Sequence, residues 1–359
     1  MNVLGIETSC DETAVAVVKD GSIVLSNIVS SQERVHRRFN GIIPELAARM
    51  HLGSINWMID EALRRSHTYL PGYANNPTEK KGVGRQRINL IAVTSGPGLV
   101  GSLLVGVMTA RVLGMLTSTK VCPVNHIEGH LYANMLGGEN IAYPLLALIV
   151  SGGHTELIHV KKVGRYNVLG RTRDDAVGET YDKVSKVLGL GYPGGPVIDR
   201  NAKHGNPGAV KFPRPFMRET RDFSFSGIKT AVANFVNDPV YRKKMVNTGK
   251  VKVSTADIAS SFQQAIIETL VTKTLRTAKE VNVKTVLVGG GVSANEGLRR
   301  EMVLQGKREG LKVSFPSKLY CTDNAAMIAA AAYWKHKYAK NTKWDNFTVD
   351  PNLTVRSWR

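Results

Sequence analysis

The chain has 359 residues, 43% of them hydrophobic, with 48 Lys and Arg against 29 Asp and Glu for a formal charge of +19. That length and apolar content exclude a disordered chain or a disulfide-stapled miniature and predict two domains with cores of their own. The basic excess predicts a polyanionic partner, nucleic acid before membrane. Three scattered cysteines, Cys10, Cys122 and Cys321, exclude a disulfide framework or zinc ribbon and predict a reducing, cytoplasmic setting.

Val3–Ile6 is a short apolar strand. After Glu7-Thr8-Ser9-Cys10-Asp11-Glu12-Thr13 comes a second, Ala14–Val18, which turns at Lys19-Asp20-Gly21 into Ile23–Leu25. Met1 leads straight into this pattern, which predicts no signal or transit peptide. Arg34–Arg65 has mixed helical spacing and predicts two helices packed on the first domain. Residues 69–86, rich in Pro, Gly, Asn and Lys, predict a surface loop. Ile88–Val93 is a strand that runs through Gly96-Pro97-Gly98 into the apolar window Leu99–Leu116. Gly101, Gly106, Arg111 and Gly114 interrupt that window, so it predicts a buried helix and not a membrane span. Val121–Val124 is strand-like and leads into Asn125-His126-Ile127-Glu128-Gly129-His130.

The second half echoes the first. Leu145–Val150, the turn Ser151-Gly152-Gly153-His154-Thr155, Glu156–Val160 and a third strand beyond Val163-Gly164-Arg165 repeat the opening meander. Thr285–Val288 runs into Gly289-Gly290-Gly291-Val292-Ser293-Ala294-Asn295 as Ile88–Val93 runs into its own glycine turn. Ser260–Val281 and Asn324–Lys337 have helical spacing, and the latter should return to the first domain. The pattern predicts an α/β fold of the actin-like ATPase, sugar kinase and Hsp70 (ASKHA) type, two duplicated mixed-sheet domains with a ligand cleft between them. The first would comprise 1–128 plus 322–340, with a helical insertion at 31–66. The second would be 141–321, and 341–359 a tail with little pattern.

His126 and His130 stand four apart and so share one helix face. Glu128 is two residues from each, about 200° around the helix and away from the metal face, so a metalloprotease ranks last among the readings. Thr322-Asp323-Asn324 opens a helix, so Asp323 is a candidate cap and a candidate third metal ligand, and both can hold because a cap can expose its carboxylate to a cleft. Two His and an Asp with open positions suit iron(II) or zinc. The turns at 151–155, 189–196 and 289–295 let backbone N–H groups approach a phosphate. No Walker sequence occurs. Asp182 and Asp199 flank glycine turns and are candidates for ribose or base contacts. From Lys203 to Lys252 there are eleven Lys and Arg against three Asp and Glu, interleaved with Phe212, Phe216, Phe223, Phe225 and Tyr241. Such interleaving suits an RNA surface, although Phe223 and Phe225 are expected in the core.

Taken in order, the motifs at 7–13, 96–98, 125–130, 151–155, 222–230, 289–295 and 322–326 closely resemble those of the bacterial tRNA N6-adenosine threonylcarbamoyltransferase (TsaD) family, once labelled O-sialoglycoprotein endopeptidases. The resemblance implies transfer of a threonylcarbamoyl group from threonylcarbamoyl-AMP to N6 of adenosine 37 in tRNAs reading codons that begin with A. It implies one divalent metal, iron(II) or zinc, on His126, His130 and Asp323. It also implies an adenine nucleotide held by Ile149, Val150, Ser151, Gly152, Gly153, Asp182, Gly195, Asp199 and Asn295. Implied partners are tRNA, a catalytically silent paralogue of the same fold (TsaB-like) and a small P-loop ATPase (TsaE-like), with no membrane. No general base is assigned; His154 is the first candidate and Glu12 the second. Phe39-Asn40-Gly41-Ile42-Ile43 and Thr180-Tyr181 depart from the family's usual residues. The competing readings are a small-metabolite kinase of the same fold, which does not need the histidine pair, and a silent tRNA-binding assembly subunit, which should lack the metal trio.

Overall fold

The structure is a computed structural model that describes residues 1–73, 86–138, 141–214, 220–246, 253–339, 344 and 346–358. The chain divides into two compact units. One comprises Met1–Ile141, Lys162–Tyr166 and Pro316–Arg359, the other Ala142–Lys161 and Asn167–Phe315.

In the first unit β1 (Asn2–Glu7), β2 (Glu12–Lys19) and β3 (Ile23–Ser31) form an antiparallel meander. Asp20 and Gly21, both at positive φ, make the tight hairpin between β2 and β3. Helices α1 (Glu33–His36) and α2 (Pro44–Arg65) follow, then β4 (Thr68–Tyr69), β5 (Gln86–Gly96), α3 (Val100–Thr117), β6 (Val121–Asn125) and α4 (His126–Tyr132). The strand order is β3-β2-β1-β5-β4, with β6 also paired to β5. The second unit repeats the plan. β7 (Leu145–Val150), β8 (Thr155–Lys162) and β9 (Arg165–Arg171) make the meander. Five helices follow: α5 (Val177–Val187), α6 (Gly194–Ala202), α7 (Ser226–Asn237), α8 (Pro239–Met245) and α9 (Thr255–Glu280). Then come β10 (Thr285–Gly289), α10 (Glu296–Arg308) and β11 (Lys312–Ser314), giving the order β11-β10-β7-β8-β9. Each sheet is thus an antiparallel meander whose first strand pairs in parallel with a later one, β1 with β5 and β7 with β10. α11 (Ala325–Tyr338) belongs to the first unit.

Several local expectations change. The two helices expected over 34–65 are present but unequal, the four-residue α1 and the 22-residue α2 that Pro44 opens. α3 is not a buried helix: Val107, Ala110 and Leu113 enter the core, while Leu104, Met108, Val112 and Met115 form an exposed stripe. It is the one helix among the described residues long and apolar enough to cross a membrane, and half of it is buried within the structure. Phe212 joins Phe223 and Phe225 in the second core, and Tyr241 packs against it, so these rings form no exposed stacking platform. Phe216 lies outside the described residues, as does most of the predicted 69–86 loop. Much of the basic run is neutralised by carboxylates distant in sequence. Lys203 pairs with Glu296 (3.0 Å), Arg214 with Glu268 (2.7 Å), Arg221 with Glu280 (2.9 Å) and Lys229 with Asp175 (2.9 Å). Lys211, Lys243 and Lys244 remain exposed, without an ion pair among the described residues.

Candidate metal centre and donor turns

β6 ends at Asn125, whose Oδ1 accepts from the backbone N–H of Ile127 (2.8 Å) and Glu128 (3.3 Å) and so starts α4. His126 and His130 then share a face, their ring centroids 4.7 Å apart. Between them Gly129 rests on Met327 and Ile328 of α11, where an added Cβ would press on the Ile328 side chain at 2.7 Å. Gly5 of β1 lies against Ala325 and Ala329, so α11 also packs closely on β1. Together these contacts bring the start of α11 to the imidazoles.

The cap of α11 is Asn324, which accepts from Met327 N–H at 3.0 Å. With the cap taken by its neighbour, the Asp323 carboxylate faces the histidines. Its Oδ1 is 3.5 Å from His126 Nε2 and 3.2 Å from His130 Nε2. One ligand atom from each of the three residues lies within 4.8 Å of the others. His130 is fully buried; among the described residues its Nδ1 makes no hydrogen bond and its Nε2 has only the 3.2 Å approach to Asp323. An unsatisfied buried polar atom costs about 1–3 kcal/mol, and a cation shared with Asp323 would satisfy Nε2. The donor set of two imidazoles and one carboxylate therefore fits a divalent transition metal.

Glu7, at the end of β1, had no assigned role in the sequence. It is fully buried, and its Oε2 lies 3.0 Å from His126 Nδ1 and accepts from Thr94 Oγ1 (2.7 Å), while Oε1 accepts from Ser9 N–H (2.5 Å). His126 Nδ1–H donating to Glu7 leaves Nε2 for Asp323 or a metal, the arrangement by which a carboxylate orients a ligating histidine. Burial works against the charged forms of Glu7 and Asp323, but the His126 charge and its hydrogen bonds outweigh it, and both carboxyls stay below their ordinary range. Burial likewise opposes a charged His126, but Asp323 and Glu7 prevail and raise its pKa; His130, with burial dominant, is lowered. Without metal the centre thus holds a proton on His126, which a cation would displace. Glu7→Gln should weaken zinc binding roughly 10–100-fold, the range for outer partners of ligating histidines; bound zinc after dialysis against a graded chelator checks it.

Glu12 opens β2 and accepts from Ser31 Oγ (3.2 Å). Burial first, then the Asp11 and Asp323 charges, push its carboxyl well above the usual range.

The donor candidates lie in the second unit. Ile149 and Val150 end β7 with buried side chains, so only their backbone can face a ligand. Ser151 N–H donates to His154 C=O (2.8 Å), and Ser151 Oγ accepts from His154 N–H (3.2 Å), closing the turn. A Cβ at Gly152 or Gly153 would meet nothing within 4 Å. Gly178 and Glu179, in the first turn of α5, donate their N–H groups to Ser151 and Gly152 C=O, each at 3.2 Å. Asp182 Oδ1 accepts from Gly194 N–H (2.6 Å), and Gly195 beside it is open. Asn295 Nδ2 donates to Asp199 Oδ1 (3.0 Å) and to Gln263 Oε1 (2.8 Å), and Gln263 Nε2 also donates to Asp199 (3.1 Å). The structure therefore joins Asp199 to Asn295 through Gln263, a residue the sequence analysis missed; its place in an amphipathic helix carries no sign of the role. Gly290, at φ +90°, packs on the Val150 backbone, so the third turn braces the first.

The family model described as TsaD, tRNA N6-adenosine threonylcarbamoyltransferase, matches residues 23–330. The chain belongs to this family. A tRNA N6-adenosine threonylcarbamoyltransferase of Endomicrobium trichonymphae is 45% identical over 362 residues, covering 100% of both chains. One from Clostridium kluyveri is 44% identical over 357 residues, 99% of this chain and 98% of its own. As a family member the chain is a tRNA-modifying transferase. Among solved structures, full-length HypF in a phosphate- and nucleotide-bound form superposes with a TM-score of 0.58 at 11% identity, over 96% of this chain and 56% of that one. HypF of T. kodakarensis gives 0.59 at 14% identity, over 94% and 48%. These two likenesses speak for the fold alone, and they support the duplicated ASKHA-type architecture.

Proposed function

We propose that the chain transfers the threonylcarbamoyl group of threonylcarbamoyl-AMP to N6 of adenosine 37 in tRNAs reading codons that begin with A. The convergence of His126, His130 and Asp323 carries this reading within the fold, since a small-metabolite kinase has no use for it and a silent subunit would not need it. A divalent cation, iron(II) or zinc, on those three residues would supply Lewis acidity to the carbamoyl carbonyl. The open backbone of Gly152 and Gly153 is suited to the adenylate phosphate, and the Asp199–Gln263–Asn295 network to the nucleoside. The N6 amine attacks the carbamoyl carbon, the carbon–oxygen bond to phosphate breaks, and AMP leaves. The amine proton passes to a base, for which His154 and Glu12 are the candidates; the raised pKa of Glu12 is the direction a base needs.

The reading includes tRNA, a silent paralogue of the same fold and a small P-loop ATPase as partners, in the cytoplasm. The exposed stripe of α3, with Leu52 and Trp57 of α2 also bared, is the kind of apolar helix face a paralogue would cover. Lys243 and Lys244 are suited to tRNA phosphates. Reversing both to Glu should weaken tRNA binding and flatten its salt dependence by about one to two counterions, with AMP binding unchanged. Equal loss of tRNA and AMP binding, measured by anisotropy and calorimetry, would remove that surface from the reading.

The deciding experiment combines unmodified tRNA, threonine, bicarbonate and ATP with the synthase, both partner proteins and this chain. Nucleoside mass spectrometry should find threonylcarbamoyladenosine only when the chain is present. Its absence in a mixture that a known family member makes productive would refute the proposal.

A further inference from the structure

α4 has only seven residues, too few to hold its own shape or orientation, so the placing of His126 and His130 depends on what clamps the helix from outside. Gly129 against α11 is one clamp. The other is the C-terminal segment, which lies beyond residue 330, where the family match ends. Residues 346–358 form no helix or strand, yet they are pinned repeatedly within the first unit. Asp350 N–H donates to Ser95 C=O (2.8 Å), and Pro351 C=O accepts from Gly98 N–H (3.2 Å). Leu353 C=O accepts from Asn125 Nδ2 at 3.1 Å. Asn125 is the residue whose Oδ1 caps α4, so this bond fixes which way its amide points.

The segment ends with Trp358 inserted against α4. Its Nε1–H donates to Glu128 Oε1 at 2.7 Å, and its ring stacks on Tyr132 at 5.9 Å between centroids. Glu128 is buried on the side of α4 away from the histidines. The tail therefore grips the capping residue and the back of the same short helix whose front carries the imidazoles. We infer that residues 346–358 are a positioning strap: Trp358, bonded to Glu128, holds α4 so that His126 and His130 meet Asp323 as a ligand set. The inference rests on the metal reading above and concerns positioning, since no atom of the strap is placed at the reacting groups.

The test is cobalt(II) and zinc titration of the full chain, with the visible cobalt absorption as a geometric signature. Trp358→Phe keeps an aromatic ring but strands a buried carboxylate oxygen, which drives α4 out of register. Cobalt affinity should fall about tenfold, the low end for outer partners of a metal site, and the cobalt bands should shift. Glu128→Leu added to Trp358→Phe removes the stranded group and should recover part of the loss. Leu298→Ala, in the core of the second unit, is the control that lowers thermal stability while leaving cobalt affinity within about twofold. If the unaltered chain binds neither ion, the metal reading fails. If it binds them and Trp358→Phe binds equally well with unchanged bands, the strap inference is overturned and the metal reading stands. A double variant that recovers nothing also overturns it.

Discussion

Asp323→Ala should leave a folded protein that neither retains a divalent cation nor modifies tRNA. The carboxylate is the only anionic ligand candidate of the three, and its Oδ1 faces both imidazoles at 3.2 and 3.5 Å. Losing it would take one ligand from a cation held there and leaves His126, raised by Asp323 and Glu7, with Glu7 alone as its counter-charge. Helix α11 is not at risk, because its cap is Asn324 and its buried alanines are untouched. Circular dichroism and thermal stability should therefore stay near those of the unaltered chain, while metal content by plasma mass spectrometry falls to background. A Lewis acid at a developing oxyanion contributes several kcal/mol, so modification should drop by roughly a thousandfold or more. His126→Ala should match it in activity but also strand Glu7, and hence be the less stable of the two. Modification at the normal rate by metal-free Asp323→Ala protein would remove the metal from the reaction.

The parts of this picture visible in the sequence are those written in short-range spacing. The histidine pair is an i, i+4 signal, and the duplicated meander is a matter of apolar runs and glycine turns. Asp323 reads as a cap because a carboxylate before an alanine-rich run is a good capping signal; the bond from Met327 N–H to Asn324 shows that its neighbour takes that place. What the sequence concealed depends on residues far apart. Glu7 and His126 are separated by 119 positions, Glu128 and Trp358 by 230, and no local pattern marks either pair. The ion pairs of Lys203, Arg214, Arg221 and Lys229 are hidden for the same reason, since their carboxylates come from α9, α10 and the segment before α5. The exposed stripe of α3 hides in a stretch whose large side chains are apolar on both faces, so periodicity does little to distinguish the buried face from the bare one.

Glycine substitutions should separate the two jobs of the turn after β7. At Gly178 an added Cβ would lie 2.6 Å from Ser151 O and 2.8 Å from Gly152 Cα, both backbone, so either α5 or the turn must move. Such overpacking costs about 1–3 kcal/mol, and the displaced groups include the N–H donors that hold the turn's carbonyls. Gly178→Ala should lower thermal stability and weaken AMP binding by about tenfold to a hundredfold together, by the conversion of roughly 1.4 kcal/mol per decade. Gly152→Ala is different. A Cβ there meets nothing within 4 Å, and the residue is not at positive φ, so the protein should fold as before. If the turn cradles the adenylate phosphate, the new methyl occupies the approach that the bare backbone leaves open, and AMP affinity should fall at least tenfold with stability and zinc content unchanged. Calorimetric titration with AMP beside thermal melts measures both quantities on each variant. Unaltered AMP affinity in Gly152→Ala would move the phosphate away from this turn and leave its glycines as packing devices for α5.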